Sequence, residues 1–236
     1  QLRTALNDKT ALVSIMWANN ETGVLSPIDE ICRIAHERGV LVHTDAVQAL
    51  GKIPVDVQAV PVDLLALSGH KIHAPKGVGA LYIKRGTRLR PFFVGGHQEH
   101  GRRAGTENVA SIAGLGAAAG LAGAFLQDEV TRVRALRDRF EREILARVPH
   151  TRVNGHPALR TPNTSSISFT YVEGEAILLS LSDAGICASS GSACTSGSLE
   201  PSHVLIAMGL THAEAHGTAR FSFSRYTTDA EIEYLL

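Results

Sequence analysis

Three apolar runs of strand length, each breaking into a polar cluster, constrain the fold more than any other feature of this chain. "TALVSIMWA" is followed by "NNETG" at 19–23, "VLVHTDAV" contains "HTDAVQ" at 43–48, and "VDLLALS" runs into "SGHK" at 68–71. Runs this solidly apolar read as strands buried on both faces. Between the first two lies "SPIDEICRIAHERG", an amphipathic helix with Pro27 in its first turn and Gly39 just past its end. Strands alternating with helices predict an α/β architecture with a mostly parallel sheet covered by helices. Such sheets bind ligands beyond the carboxyl ends of their strands, which is where the three polar clusters fall. One polar strand end is ordinary loop chemistry, but three in succession point to one site.

The uncharged stretch at 108–127, "NVASIAGLGAAAGLAGAFLQ", admits three readings. "GLGAAAG" imitates a dinucleotide fingerprint but lacks the preceding strand. "GAAAG" imitates a membrane dimer motif but sits in a segment too rich in Ala and Gly to insert. The reading adopted is a helix buried in the protein, with small residues allowing close packing. It continues into "DEVTRVRALRDRFEREILARV", where Val133, Leu136, Phe140 and Ile144 form an apolar stripe and the charges take the other face. A boundary is expected near 127, giving 1–127 as part of a large domain and 128–236 as a smaller α+β domain. In the latter, "TSSISFTYV", "ICASSGSAC" and "TARFSFS" read as strands, and "GEAILLSLSDAG" and "EPSHVLIAMG" as helices. Both ends read as cut from a longer chain: residue 1 is Gln, and "TTDAEIEYLL" opens a helix with capping-box spacing at Thr228 and Glu231 and then stops.

Lys+Arg and Asp+Glu both number 23, so net charge supplies no reason to expect nucleic acid or an anionic membrane as partner. The three cysteines, Cys32, Cys187 and Cys194, form no CxxC pair. A disulfide framework is therefore not expected, and a reducing, cytoplasmic location is.

A lone lysine at a strand exit is ordinarily a solvated charge. Lys71 has company: Ser68 and His70 can donate to a phosphate, and Asp45 offers a carboxylate to a protonated ring nitrogen. An amine, a pyridinium partner and phosphate donors are what pyridoxal phosphate requires. Cys194 lies among Ser189, Ser190, Gly191, Ser192, Ser196, Gly197 and Ser198, a polar stretch unlike the packed surroundings of a structural thiol. Cys187 and Cys32 are expected to be packing residues. In "ARFSFSR", Phe221 and Phe223 share one face and Arg220, Ser222 and Ser224 the other, so Arg220 lies among small polar groups suited to carboxylate binding.

"NNETG", "HTDAVQ", "SGHKIHAPKG", "GRRAGTEN", "SSGSACTSGSLEPSHVL" and "RFSFSRYTT", in that order, resemble the cysteine desulfurases, class V aminotransferases of pyridoxal-phosphate fold type I. "GGHQEHGRRAGTEN" and "SGSLEPSHV" are most similar to the nitrogen-fixation type. The resemblance implies that Lys71 carries pyridoxal 5'-phosphate covalently, that Asp45 pairs with the ring nitrogen and Gln48 with the phenolic oxygen, and that Ser68 and His70 bind the phosphate. Thr106 would reach the phosphate of a partner subunit's cofactor, implying a homodimer. Asn20 and Arg220 would hold the substrate carboxylate, Asn20 also facing the cofactor. Cys194 would take sulfur from L-cysteine, leaving L-alanine, and pass it to an iron–sulfur scaffold protein for nitrogenase clusters, acting also as a transient iron–sulfur ligand. A phosphate turn and a ring-stacking histidine that the family carries upstream are not in this sequence. A selenocysteine lyase or another fold type I enzyme remains the nearest alternative. From other classes there remain a truncated non-catalytic scaffold and an iron–sulfur or metal-binding carrier built on His70, His73, His97, His100 and Cys194.

Overall fold

The computed structural model describes residues 1–190 and 200–236. It divides into two compact units: residues 1–17 with 26–124, and residues 18–25 with 125–236. The division places the "NNETG" turn, which interrupts the first unit after its first strand, with the second unit.

In the first unit, β1 (Leu12–Met16), β2 (Leu41–Asp45) and β3 (Leu64–Ser68) are parallel and adjacent in that order, and β4 (Gly79–Ile83) adds antiparallel to β3. The expected α/β arrangement is present. Helix α1 (Leu2–Ala5) precedes β1, and α2 (Ile28–His36) connects β1 to β2. It buries Ile28, Ile31, Cys32, Ile34 and Ala35, the face its apolar spacing marks out, and packs against β2. Asp29 and Glu30 in its first turn and Arg33 and His36 in its last complement the helix dipole. At the far end His36 Nε2 meets the buried Asp63 carboxylate at 2.7 Å, and Val42 N–H donates to the same oxygen at 2.8 Å. Beyond the one-turn helix α3 (Gln98–Gly101), α4 (Val109–Ala124) covers "GLGAAAG" without a preceding strand, so the dinucleotide reading fails.

The expectation that α4 is buried holds on one face only. Ala118 and Ala122 pack with Ile72, and Gly114 lies so close to Pro75 that a Cβ there would sit 2.9 Å from its ring. Val109, Ile112 and Leu121 are exposed. Small residues do permit close approach, but along one line of the helix, since its apolar residues have no preferred side. No single helix among the described residues is long and apolar enough to cross a membrane.

In the second unit the helical path breaks at Phe125 and resumes as α5 (Leu126–Asp128), a π-helical turn (Glu129–Val133) and α6 (Arg134–Arg147). A four-stranded antiparallel sheet has the order β5 (Thr151–Val153), β6 (Thr164–Phe169), β8 (Thr218–Ser222), β7 (Ser189–Ser190). Helices α7 (Gly174–Asp183), α8 (His203–Ala207), α9 (His212–His216) and α10 (Asp229–Leu235) complete it, α10 with the capping box foreseen at Thr228 and Glu231. The core joins Val133, Leu136, Phe140 and Ile144 of the expected stripe to Ile167, Phe221, Phe223 and Ile232. The Phe140 ring lies tilted against Phe221 at 4.8 Å and edge-on to Phe223 at 5.4 Å, centroid to centroid. The charges of α6 do not all take the outer face, however: Arg137 and Glu141 are buried.

Phe140 is fully buried at the centre of this core. Phe140→Ala is expected to lower the unfolding free energy of the intact protein by about 3–5 kcal/mol, measured by urea titration. A loss under 1 kcal/mol would mean that the aromatic cluster does not hold the unit together.

Candidate functional site

The first unit gathers five of the sequence-predicted residues along the carboxyl edge of β2 and β3. Asp45 is the last residue of β2 and pairs in register with Met16 on one side and Ala66 on the other. The main chain continues the edge on both sides: Trp17 N–H donates to Asp45 O at 2.8 Å, and Ala46 N–H donates to Ala66 O at 2.9 Å. Asp45 Oδ1 accepts from Val47 N–H at 2.8 Å, an Asx turn that fixes the carboxylate at the strand end. Gln48 lies in that turn, half-buried.

Ser68 ends β3, and a single 3₁₀ turn follows, Gly69–Ile72, closed by His73 in the left-handed region at φ 69°. Gly69 N–H donates to Val78 O at 2.8 Å, and Ala74 N–H donates to Gly69 O at 3.0 Å. A Cβ on Gly69 would lie 2.9 Å from Val78 Cγ1 and 3.0 Å from Ala74 Cβ, so only glycine allows this closure. Ile72 is buried while His70 and Lys71 are exposed, so the turn is anchored from beneath and displays its lysine. Ser68 Oγ and His70 Nδ1 are 2.8 Å apart, which orients the imidazole.

Thr106 stands apart from that edge. It lies on an exposed segment where Arg103 Nη1 reaches the carbonyls of Gly105 at 3.2 Å and Thr106 at 3.5 Å.

In the second unit, Asn20 and Arg220 meet directly. Arg220, on β8, donates from Nη1 to the main-chain carbonyl of Asn20 at 2.7 Å. The alternation foreseen for this strand is present, with Phe221 and Phe223 buried and Arg220 half-buried on the other face. The turn that presents Asn20 is built by its neighbour. Asn19 Oδ1 accepts from Glu21 N–H at 2.9 Å, Thr22 N–H at 2.9 Å and Thr22 Oγ1 at 3.1 Å. Gly23 follows at φ 74°, where a Cβ would lie 2.7 Å from Thr161 Oγ1. Glu21 is buried and accepts from Ser202 Oγ at 2.5 Å, while Ser202 also caps α8 by accepting from Leu205 N–H. Sequence reasoning missed Asn19, Glu21 and Ser202. An Asn two residues before an acidic residue and four before Gly is the Asx-turn signal that could have identified Asn19.

Cys194, expected as sulfur acceptor and as transient iron–sulfur ligand, lies outside the described residues. No group of three or more His, Cys, Asp or Glu among the described residues could hold a metal ion. The two remaining thiols differ. Cys32 is buried as expected, and burial pushes its pKa up to about 11, with Asp63 adding to the rise. Cys187 was expected to pack but is exposed, because only Ser189–Ser190 of the anticipated strand forms among the described residues. Iodoacetamide at pH 8 should therefore alkylate Cys187 in the folded protein and reach Cys32 only after unfolding, read by peptide mass spectrometry. Labelling of Cys32 at the rate of Cys187 would contradict the buried position of α2.

The family model described as aminotransferase class-V matches residues 1–235. Cysteine desulfurase NifS of Azotobacter vinelandii is 61% identical over 231 residues, which cover 98% of this chain and 58% of that protein. Of solved structures, a NifS-like protein superposes with a TM-score of 0.90 at 36% identity, covering 99% of this chain and 61% of the other. The structure titled SspA in complex with cysteine gives 0.78 at 34% identity, covering 97% and 63%. The chain thus spans a little under three fifths of the length of the curated relatives it matches.

Proposed function

This chain belongs to the class-V aminotransferases, and from that premise we propose that the protein is a pyridoxal-phosphate-dependent cysteine desulfurase, converting L-cysteine to L-alanine and an enzyme persulfide. The observation that carries the reading is the Lys71 turn: an exposed amine, the oriented Ser68–His70 pair and the fixed Asp45 carboxylate share one sheet edge. The donor set fits the cofactor. Asp45, an acceptor held in place, suits a protonated ring nitrogen; Gln48 suits the phenolic oxygen; Ser68 and His70 suit the phosphate; and Lys71 is the amine for covalent attachment. When bound, the cofactor supplies an electron sink for charge developing at the substrate Cα.

The chain's own residues do the rest. The Arg220 guanidinium receives the substrate carboxylate, and the Asn20 carbonyl fixes its orientation. Lys71 Nζ takes the Cα proton and returns one to the carbon framework. The Cys194 thiolate attacks the substrate sulfur: an S–S bond forms as the Cβ–S bond breaks, and the electron pair goes to Cβ, which gains a proton to become the alanine methyl group. Cys194 keeps the sulfur as a persulfide for an acceptor, which we read as an iron–sulfur scaffold protein in nitrogenase cluster assembly. Thr106 reaching a partner subunit's phosphate, a homodimer and a cytoplasmic location belong to the same reading. The 61% identity to a NifS favours cysteine desulfurase over selenocysteine lyase.

The test uses the full-length protein. Borohydride reduction followed by peptide mapping should place the phosphopyridoxyl group on Lys71; a group on another lysine would reject the assignment. With L-cysteine, alanine and transferred sulfur should appear in equal amounts, and Cys194→Ala should lower that rate by about 10³-fold or more while leaving the visible absorbance intact. Persulfide mass on Cys187, or turnover surviving in Cys194→Ala, would overturn the mechanism.

A further inference from the structure

The Asn20–Arg220 contact stands at the end of a continuous line of hydrogen bonds that begins at two buried charges on α6. Arg160 Nη1 donates to Glu141 Oε1 at 2.7 Å, and its Nη2 donates to Glu141 Oε2, a two-pronged pair with both side chains buried. One turn earlier on the helix, Arg137 Nη1 donates to Thr161 O at 2.9 Å. Burial, and then the proximity of Arg160, lowers the Arg137 guanidinium pKa from its ordinary value. Two side chains of α6, Glu141 and Arg137, thus hold residues 160 and 161.

That segment in turn holds the Asn19 turn. Thr161 N–H donates to Gly23 O at 2.9 Å, Leu25 N–H donates to Leu159 O at 3.0 Å, and Val24 and Arg160 form an antiparallel bridge between these bonds. The absence of a side chain at Gly23 lets the two strands of main chain approach. Asn19 N–H donates to Val24 O at 2.8 Å, closing the turn whose next residue gives its carbonyl to Arg220. A buried ion pair is weak support for stability, because apolar residues of similar volume often hold a fold as well. What a two-pronged Arg–carboxylate pair supplies is a fixed direction.

We propose that the Glu141–Arg160 pair, with Arg137, is a positioning device for Arg220: it fixes residues 159–161, which fix the Asn19–Leu25 turn, which orients the guanidinium that receives the substrate carboxylate. The proposal deepens the desulfurase reading and rests on Arg220 as the carboxylate anchor. Glu141, Arg160 and Arg137 are positioning residues that do not touch substrate.

The test measures, in the full-length holoenzyme, the calorimetric Kd for 3-mercaptopropionate, a thiol and carboxylate without the reacting amine, beside KM and kcat for L-cysteine. Glu141→Met/Arg160→Met leaves no buried charge unpaired. It should weaken the ligand and raise KM by about tenfold, with kcat within about twofold and the visible absorbance and Tm retained. In an Arg220→Ala background the same double substitution should add nothing. Unchanged affinity in the folded double variant, or an equal loss in both backgrounds, would overturn the positioning role while leaving the desulfurase reading intact. If Arg220→Ala itself fails to weaken the ligand, the carboxylate-anchor reading falls and the proposal with it. Should the double variant not fold, Arg160→Lys decides: it keeps the charge but loses the fork, and a loss of about threefold or more is expected, whereas none would overturn the proposal.

Discussion

The way residues 19–25 join the second unit turns on one side-chain oxygen. Asn19 Oδ1 satisfies two main-chain N–H groups and one hydroxyl within three residues, bending the chain so that each following group faces a different partner. The Asn20 carbonyl turns to Arg220, the Glu21 carboxylate to Ser202, and the Gly23 carbonyl to Thr161. Without that oxygen the buried N–H groups of Glu21 and Thr22 would lose partners, and buried donors left unmade are expensive. Residues 18–25, which interrupt the first unit's chain, therefore serve as a structural element of the second.

The Lys71 turn solves a related problem by subtraction. An amine proposed to carry a cofactor has to stand clear of the sheet, yet be held in one place. The main-chain bonds of Gly69 to Val78 and Ala74 provide the hold, and both are open to it because Gly69 has no side chain. Gly79, opposite Ser68 in the register, is constrained in the same way, since a Cβ there would lie 2.6 Å from Leu67 O. In "SGHKIHAPKGVG" the glycines shape the turn and His73 closes it, which leaves Ser68, His70 and Lys71 for the proposed cofactor contacts.

Much of this was legible because side-chain period and strand-end polarity are local properties. Three apolar runs gave β1, β2 and β3, and the Asp45 and Lys71 edge followed from what comes after them. The two aromatic residues of "ARFSFSR" marked the buried face of β8 by alternation alone. What stayed hidden was set by groups distant in sequence or by the main chain. Asn20 reached Arg220 through a carbonyl that every residue possesses, so its side chain gave no hint of this contact. Arg137 and Glu141 read as solvent-facing charges of an amphipathic helix, because their buried partners lie 24 and 19 residues away. Cys187 read as packed because the strand was expected to start before it, whereas among the described residues pairing begins only at Ser189. Half of α4 read as buried because its composition is apolar on every side, and composition does not choose a face.

The buried charges of α6 separate two demands that a fold usually meets together. Stability asks only that volume be filled, and Leu136, Phe140 and Ile144 meet that demand on the same helix. Direction asks that a segment with no regular secondary structure, residues 158–161, sit in one register against the Asn19 turn. Apolar contacts are tolerant of sliding, whereas a guanidinium fork on a carboxylate accepts one alignment and loses a bond in any other. A one-residue slip there would move the bonds from Leu25 and Gly23 to the wrong partners and turn Asn20 away from Arg220. Paying the desolvation of two charges is thus physically reasonable where the gain is alignment rather than free energy. The same logic explains why the fork reaches a helix: α6 is anchored in the aromatic core through Phe140, so the direction it passes to residue 160 is taken from the packed centre of the unit.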